Sequence, residues 1–294
     1  MKKIMLATDL SERSDRALRR ATLLAQQFDA SLSIVHVVDD DQPQRIVDNE
    51  RNMASVLLRE LQLTVKNVDG VICESRVVLS DPFAGIAQAA EEEMPDLLVI
   101  GPHRRQALRD VFVGTTAERT IRSVTCPVLM VNAPPVAPYG HVMITTDLSE
   151  GSERVVKTGV ALEIARGARA SLLHVFDAPA VHLAMSYTMR TKERQTYLDD
   201  QRKAAARSLA DFVNRLELRS IRQKVRQLQH SAADEILMAA REETADLVII
   251  GTHSRSGVAK LFLGSVAENV LRSAECDVLV VPPTYTRREA ISQA

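Results

Sequence analysis

The sequence contains no tryptophan and only 4 tyrosines and 6 phenylalanines among 294 residues. So thin a supply of rings speaks against stacking bases along a nucleic-acid strand. Its formal net charge is −1, with lysine and arginine spread through both halves, and no basic patch stands out. No nucleic-acid partner is expected. Apolar runs are short as well: none approaches the ~20 residues that a membrane-spanning helix requires, so no membrane partner is expected. Lys2 and Lys3 precede a brief apolar stretch that ends at Asp9. That is too short for the core of a signal peptide and reads as a first strand. Cys73, Cys126 and Cys276 form no CxxC pair and no Cys/His cluster with metal-ligand spacing. They read as buried free thiols of a cytoplasmic protein, and no metal site is expected.

What is present is a repeat. Residues 3–12, KIMLATDLSE, correspond to residues 141–150, HVMITTDLSE, so that Asp147 lies 138 positions after Asp9. The same offset carries His36 to His174, each inside an apolar run. Further on, residues 96–101, DLLVIG, match residues 246–251, DLVIIG, at an offset of 150, which also carries Gly114 to Gly264 and Cys126 to Cys276. The change of offset places a net insertion of 12 residues between the second and third strands of the second half. Pro134, Pro135, Pro138 and Gly140 lie between the copies, where they continue neither a helix nor a sheet ladder. The reading is therefore domain one over 1–133, a linker at 134–138, domain two over 139–284 and a tail at 285–294.

Within the first half, β-branched runs alternate with helical periodicity, and strands are expected near 3–8, 31–38, 71–79, 96–101 and 128–132. The runs around Val99 and Val248 are apolar throughout, as strands buried on both faces must be. From 190 to 219 an apolar stripe at helical spacing carries many charges on its outer face. Strand–helix alternation implies an α/β fold of two tandem, doubly wound, Rossmann-like open sheets with five mostly parallel strands each. Ligands of such sheets sit at the carboxyl ends of strands.

Two kinds of motif stand at those ends. Asp9 and Asp147 follow the first strands. Their spacing to Glu12 and Glu150 is that of a helix N-cap and its reciprocal partner; the same carboxylates are placed to accept hydrogen bonds from a ribose or a base. After the fourth strand of the second half come Gly251-Thr252-His253-Ser254 and, further on, Gly264-Ser265-Val266. Small residues opening a helix let backbone N–H groups approach an anion, and the helix dipole favours it. The same spacing also describes a plain glycine turn with a serine-led helix start. His36 and His174 read as hydrogen-bonded core histidines. No GxxxxGK[ST] loop is present, so Lys260 has no phosphate-loop role, and no Ser/His/Asp order stands out.

Residues 246–281, with Thr146-Asp147-Leu148-Ser149, resemble the universal stress protein family, and the likeness covers nearly the whole chain as two copies. The fold it implies is that of the adenine nucleotide alpha hydrolase-like group. Nucleotide-binding members carry Gly, two residues, Gly, nine residues, then Gly followed by Ser or Thr. Gly251, Gly264 and Ser265 match, with Ser254 at the middle glycine; Gly101, Gly114 and Thr115 match in the first half, with Arg104 at the middle. The resemblance implies ATP, ADP or AMP, with Mg2+, held by Thr146, Asp147, Val175, Ile250, Gly251, His253, Ser254, Gly264, Ser265 and Val266. The first-half counterparts are Thr8, Asp9, Val37, Gly101, His103, Arg104, Gly114, Thr115 and Thr116, a less favourable site, where Arg104 either fills the phosphate pocket as a built-in counter-charge, in a loop stiffened by Pro102, or reaches around to bind phosphate. It also implies that the last strands pair the two domains as a pseudo-dimer within one chain, with a homodimer of chains as a further possibility. The function expected is that of a nucleotide-dependent stress-response regulator, with no catalytic residue assigned. An interaction module with blocked pockets, and a nucleotide-transforming enzyme using His253 or His103 as base, are the alternatives.

Overall fold

The computed structural model describes residues 1–101, 116–182, 191–218, 220–252, 263–282 and 285. Its first half runs β1 (Lys3–Ala7), α1 (Glu12–Phe28), β2 (Ser31–Val38), α2 (Gln44–Asn67), β3 (Cys73–Leu79), α3 (Pro82–Glu93), β4 (Leu97–Ile100), α4 (Thr116–Ser123) and β5 (Val128–Met130). The second half repeats this order as β6 (His141–Thr146), α5 (Glu150–Ala161), β7 (Arg169–Phe176), α6 (Pro179–His182), α7 (Thr191–Arg215), β8 (Arg222–Gln227), α8 (Ala232–Glu242), β9 (Leu247–Gly251), α9 (Ser265–Ser273) and β10 (Asp277–Val281). Both expected periodicities are realised: the charged segment expected over 190–219 holds α7, whose buried stripe is Ala205, Leu209, Phe212 and Val213. Nine of the 12 inserted residues fall between β7 and α7.

Each half is a parallel sheet, and the two sheets join into one of 10 strands in the order β3-β2-β1-β4-β5-β10-β9-β6-β7-β8. The seam is the antiparallel pairing of β5 with β10, which places Leu129 against Leu279. Because side chains alternate across a strand, successive residues serve opposite faces. Ile4, Leu6, Val99, Ile144 and Ile249 enter a core roofed by α1, α2, α5 and α7. Met5, Leu98, Met143, Val248 and Ile250 enter the core beneath α3, α4, α8 and α9. Both cores run through the seam.

An aspartate clasps the start of each half-sheet. Asp96 Oδ2 accepts the N–H groups of Lys2 and Lys3 at 2.5 and 3.1 Å, and Asp246 Oδ2 accepts those of Gly140 and His141 at 2.5 and 3.0 Å. A second device has no counterpart in the repeat. Asp277, fully buried at the start of β10, receives Arg20 Nε of α1 at 3.2 Å and the Tyr139 hydroxyl at 2.6 Å. Its other oxygen accepts the N–H groups of Asn132 and Ala133 at 2.9 and 3.0 Å. Arg20 Nη1 also donates to the linker carbonyl of Ala137 at 2.8 Å, and its guanidinium lies 4.0 Å from the centre of the Tyr139 ring. The offsets of the repeat put Thr158 and Pro127 at the positions equivalent to Arg20 and Asp277, so this clasp forms once, where the linker passes.

All three cysteines are free thiols. Burial pushes Cys126 up to about 12 and Cys73 and Cys276 to about 11. A thiol whose folded pKa is raised contributes stability that is fully present below about pH 9 and lost as pH climbs toward 11–12. Thiolate is the reactive form, so native protein at pH 8 is expected to alkylate slowly at all three positions, and fast once unfolded in denaturant. Rapid native labelling, read by mass spectrometry, would contradict this burial.

Candidate functional site

The carboxyl ends of β6, β7 and β9 face the starts of α5, α8 and α9. At the end of β6 the chain turns through Thr146-Asp147-Leu148-Ser149. Ser149 is the N-cap of α5, its hydroxyl accepting Ser152 N–H at 3.2 Å. Asp147 stands two residues earlier and accepts both the N–H and the hydroxyl of Ser149, at 3.0 and 2.5 Å. The capping expected of Asp147 and Asp9 is therefore corrected: the aspartate holds the capping serine and does not cap the helix. Ser11 takes the N-cap position of α1, and Asp9 accepts its N–H and hydroxyl at 3.0 and 2.5 Å. Glu150 and Glu12 are then the first helical residues, too early to return a hydrogen bond to a cap.

The two strand histidines brace these turns. His174 Nδ1 donates to the Thr146 carbonyl at 3.0 Å, and His36 Nδ1 donates to that of Thr8 at 2.8 Å. Both are hydrogen-bonded strand residues, as their apolar setting suggests, and they fix the backbone that precedes each aspartate.

A cavity of about 150 Å3 lies at these strand ends. Among the expected residues, Thr146, Asp147, Val175, Ile250, Gly251, Gly264, Ser265 and Val266 all line it. His253 and Ser254, together with Lys260, fall outside the described residues. Gly251 is placed where a Cβ would come within 2.7 Å of Val155 Cγ2, so only glycine lets α5 close over the end of β9. Gly264 donates its N–H to the Thr252 carbonyl at 2.6 Å, and a Cβ on it would sit 3.0 Å from that same oxygen. This close approach fixes the start of α9, whose first-turn amides have no intrahelical acceptor. Ser265 is exposed there and Val266 half-buried.

Sequence reasoning missed part of the lining: Ser152, Val155, Leu173, Ala232, Ile236 and Thr252. Leu173 had a signal, since it precedes Val175 by two on β7 and shares its face. Ile236 and Ala232 are four apart on α8 and present one face, but nothing in their spacing says that this face meets β7. Between them on the chain, Glu235 is buried and anchors the turn into α8. It accepts Arg226 Nε at 2.6 Å and the Gln229 N–H at 3.2 Å. Burial opposes its ionisation, but these donors outweigh it and hold the carboxyl below its usual range.

The first half is built differently. Gly85 occupies the position equivalent to Glu235, and a Cβ there would meet Val37 Cγ1 at 2.7 Å. Helix α3 thus closes onto Val37, the counterpart of Val175. Asp9 is exposed, whereas Asp147 is half-buried. Thr8 and Gly101 are half-buried and Thr116 is exposed at the start of α4. His103, Arg104, Gly114 and Thr115 lie outside the described residues.

A sequence model described as "Universal stress protein family" matches the chain twice, over residues 1–132 and 138–282. Universal stress protein E of Salmonella typhi is 24% identical over 301 residues, spanning 95% of this chain and 94% of that protein. A universal stress protein of Methanocaldococcus jannaschii is 32% identical over 141 residues, or 45% of this chain and 83% of that protein. The crystal structure of a universal stress protein from Archaeoglobus fulgidus DSM 4304 covers 96% of this chain and 98% of its own, with a TM-score of 0.69 at 18% identity. That last likeness speaks for the fold alone.

Proposed function

Because the chain belongs to the universal stress protein family, as two copies of its domain in one polypeptide, we propose that its second half binds an adenine nucleotide at the ends of β6, β7 and β9. The single observation that carries this reading is the convergence of Thr146, Asp147, Val175, Gly251, Gly264 and Ser265 on one cavity. These residues come from four separate stretches of sequence. Leu173, Val175 and Ile236 supply apolar walls suited to a base. Asp147 supplies a carboxylate for ribose hydroxyls, and the start of α9 supplies N–H groups and a positive dipole end for phosphate. Mg2+ would be carried in by the phosphates; among the described residues no group of three His, Cys, Asp or Glu is gathered to hold an ion. At about 150 Å3 the cavity is smaller than the ~300 Å3 at which pockets enclose drug-sized ligands. A nucleotide would therefore be enclosed in part, with its phosphates extending along the opening of α9.

In this reading the chain works in the cytoplasm as a regulator whose occupancy alters its stability and contacts, and turnover is not required of it. Among the described residues no helix is long and apolar enough to cross a membrane. The fitting test is thermal denaturation of the full chain with ATP and Mg2+, then ADP and AMP. At 100 times the dissociation constant, bound nucleotide should add ~2.7 kcal/mol. No shift with any of the three at millimolar concentration, and no nucleotide released on denaturing freshly purified protein, would move the reading to an interaction module or a smaller ligand.

A further inference from the structure

In both halves the residue after the strand-end aspartate is a leucine with positive φ, 58° at Leu10 and 65° at Leu148. In that region an L-residue's Cβ crowds the following carbonyl oxygen. Such a conformation persists only where the surroundings over-determine it. In the second half the restraint can be traced atom by atom. Leu148 N–H donates to Thr146 Oγ1 at 2.9 Å, Thr146 Oγ1 lies 2.8 Å from Ser152 Oγ, and Ser152 Oγ donates to the Ser149 carbonyl at 2.9 Å. A hydroxyl has one proton. Since that of Ser152 goes to a carbonyl, Thr146 must donate to Ser152, which leaves a Thr146 lone pair for Leu148. The relay is directional and closes a ring around residues 146–152. Thr146 and Ser152 are both buried, at 7% and 8% exposure, so neither can exchange its partner for water cheaply.

The first half uses the equivalent serine otherwise. Leu10 N–H donates to Thr8 Oγ1 at 3.0 Å, but Ser14 Oγ donates to Asp9 Oδ1 at 2.5 Å and accepts the Asp9 N–H at 3.3 Å. There Thr8, half-buried where Thr146 is buried, keeps the Leu10 bond without the serine, and the serine instead draws the aspartate back onto its own loop.

We propose that Ser152 is a positioning residue of the second-half site: through Thr146 it holds Leu148 in the left-handed conformation that sets Asp147 at the cavity. This deepens the nucleotide reading and rests on it. The experiment uses the full chain and measures ATP·Mg2+ affinity by calorimetry and amide exchange at Leu148 by NMR. Ser152→Ala should weaken binding about tenfold, the effect of one net hydrogen bond in the range usually measured, and should speed exchange at Leu148. Glycine takes positive φ without a Cβ clash, so Leu148→Gly added to Ser152→Ala should restore affinity to within about threefold of the parent. A direct contact between the Ser152 hydroxyl and the ligand would not be rescued in this way. Unchanged affinity in Ser152→Ala, or no recovery in the double variant, overturns the proposal. If the parent chain takes no adenine nucleotide, the nucleotide reading fails on that result and amide exchange alone judges the relay. Faster exchange at Leu148 in Ser152→Ala then supports it, and unchanged exchange overturns it.

Discussion

Asp277→Ala is expected to destabilise the chain by about 3–5 kcal/mol, the range found when one partner of a buried ion pair is removed. For a protein of this size that is a fall in Tm on the order of 10 °C. The reason lies in what is left behind. Arg20, 4% exposed, would keep its charge without its carboxylate partner, and the Asn132 and Ala133 N–H groups and the Tyr139 hydroxyl would lose their acceptor. Burial pushes the Asp277 carboxyl upward, against which the tyrosine hydroxyl, the two amides and Arg20 act. The donors outnumber what one neutral residue could satisfy. Replacing Arg20 and Asp277 together by apolar residues should therefore not recover the parent stability, as it often does for a lone buried pair, because the Asn132 and Ala133 amides and the Tyr139 hydroxyl stay unpaired. Tm should be followed by circular dichroism or calorimetry. A loss of under about 1 kcal/mol in the single variant would show that the clasp contributes little. Since it ties α1, the linker and β10, its loss should also loosen the seam where β5 meets β10.

Gly264→Val should reduce adenine-nucleotide affinity by at least about 100-fold while costing the global fold far less. At this position even a Cβ stands 3.0 Å from the Thr252 carbonyl oxygen, which is backbone and cannot swing away. The valine branches add to that crowding, so the start of α9 must move off Thr252 and its 2.6 Å hydrogen bond must lengthen. A hundredfold loss corresponds to ~2.7 kcal/mol, which is reasonable if the amide donors of the helix start and the hydroxyl of Ser265 are displaced together. Titration of the full chain by calorimetry checks it, with Tm as a control for folding. Full retention of affinity in a folded variant would place the nucleotide elsewhere in the molecule.

How much of this was legible beforehand differs by element. The strand at 31–38 emerges where its β-branched and apolar residues put it, and α7 follows its stripe. The motif residues of the second half meet at one cavity because they lie at the carboxyl ends of β6, β7 and β9 or at the start of α9, which follows β9, and in a parallel sheet those ends share one edge. The capping reading of Asp147 failed on a matter of two residues. An aspartate hydrogen-bonding two residues ahead and a capping serine share one sequence pattern, and φ of Leu148 separates them, which no spacing encodes. Ala232 and Ile236 of α8 joined the lining only through packing.

Taken alone, the sequence determined that there are two copies of one α/β unit, where their strands and helices fall, and that the candidate site residues gather at strand ends. Those features depend on periodicity, turn chemistry and repetition, which act over a few residues and survive in any context. Tertiary structure decided the rest. Arg20 and Asp277 are 257 residues apart and show no pattern that links them, yet burial makes each the other's necessary partner. The closing of α3 onto Val37, where α8 instead carries Glu235, likewise turns on whether one position is Gly85 or a larger residue facing a strand two elements away. Such outcomes depend on which surfaces exclude water together, and that is set by the assembled sheet.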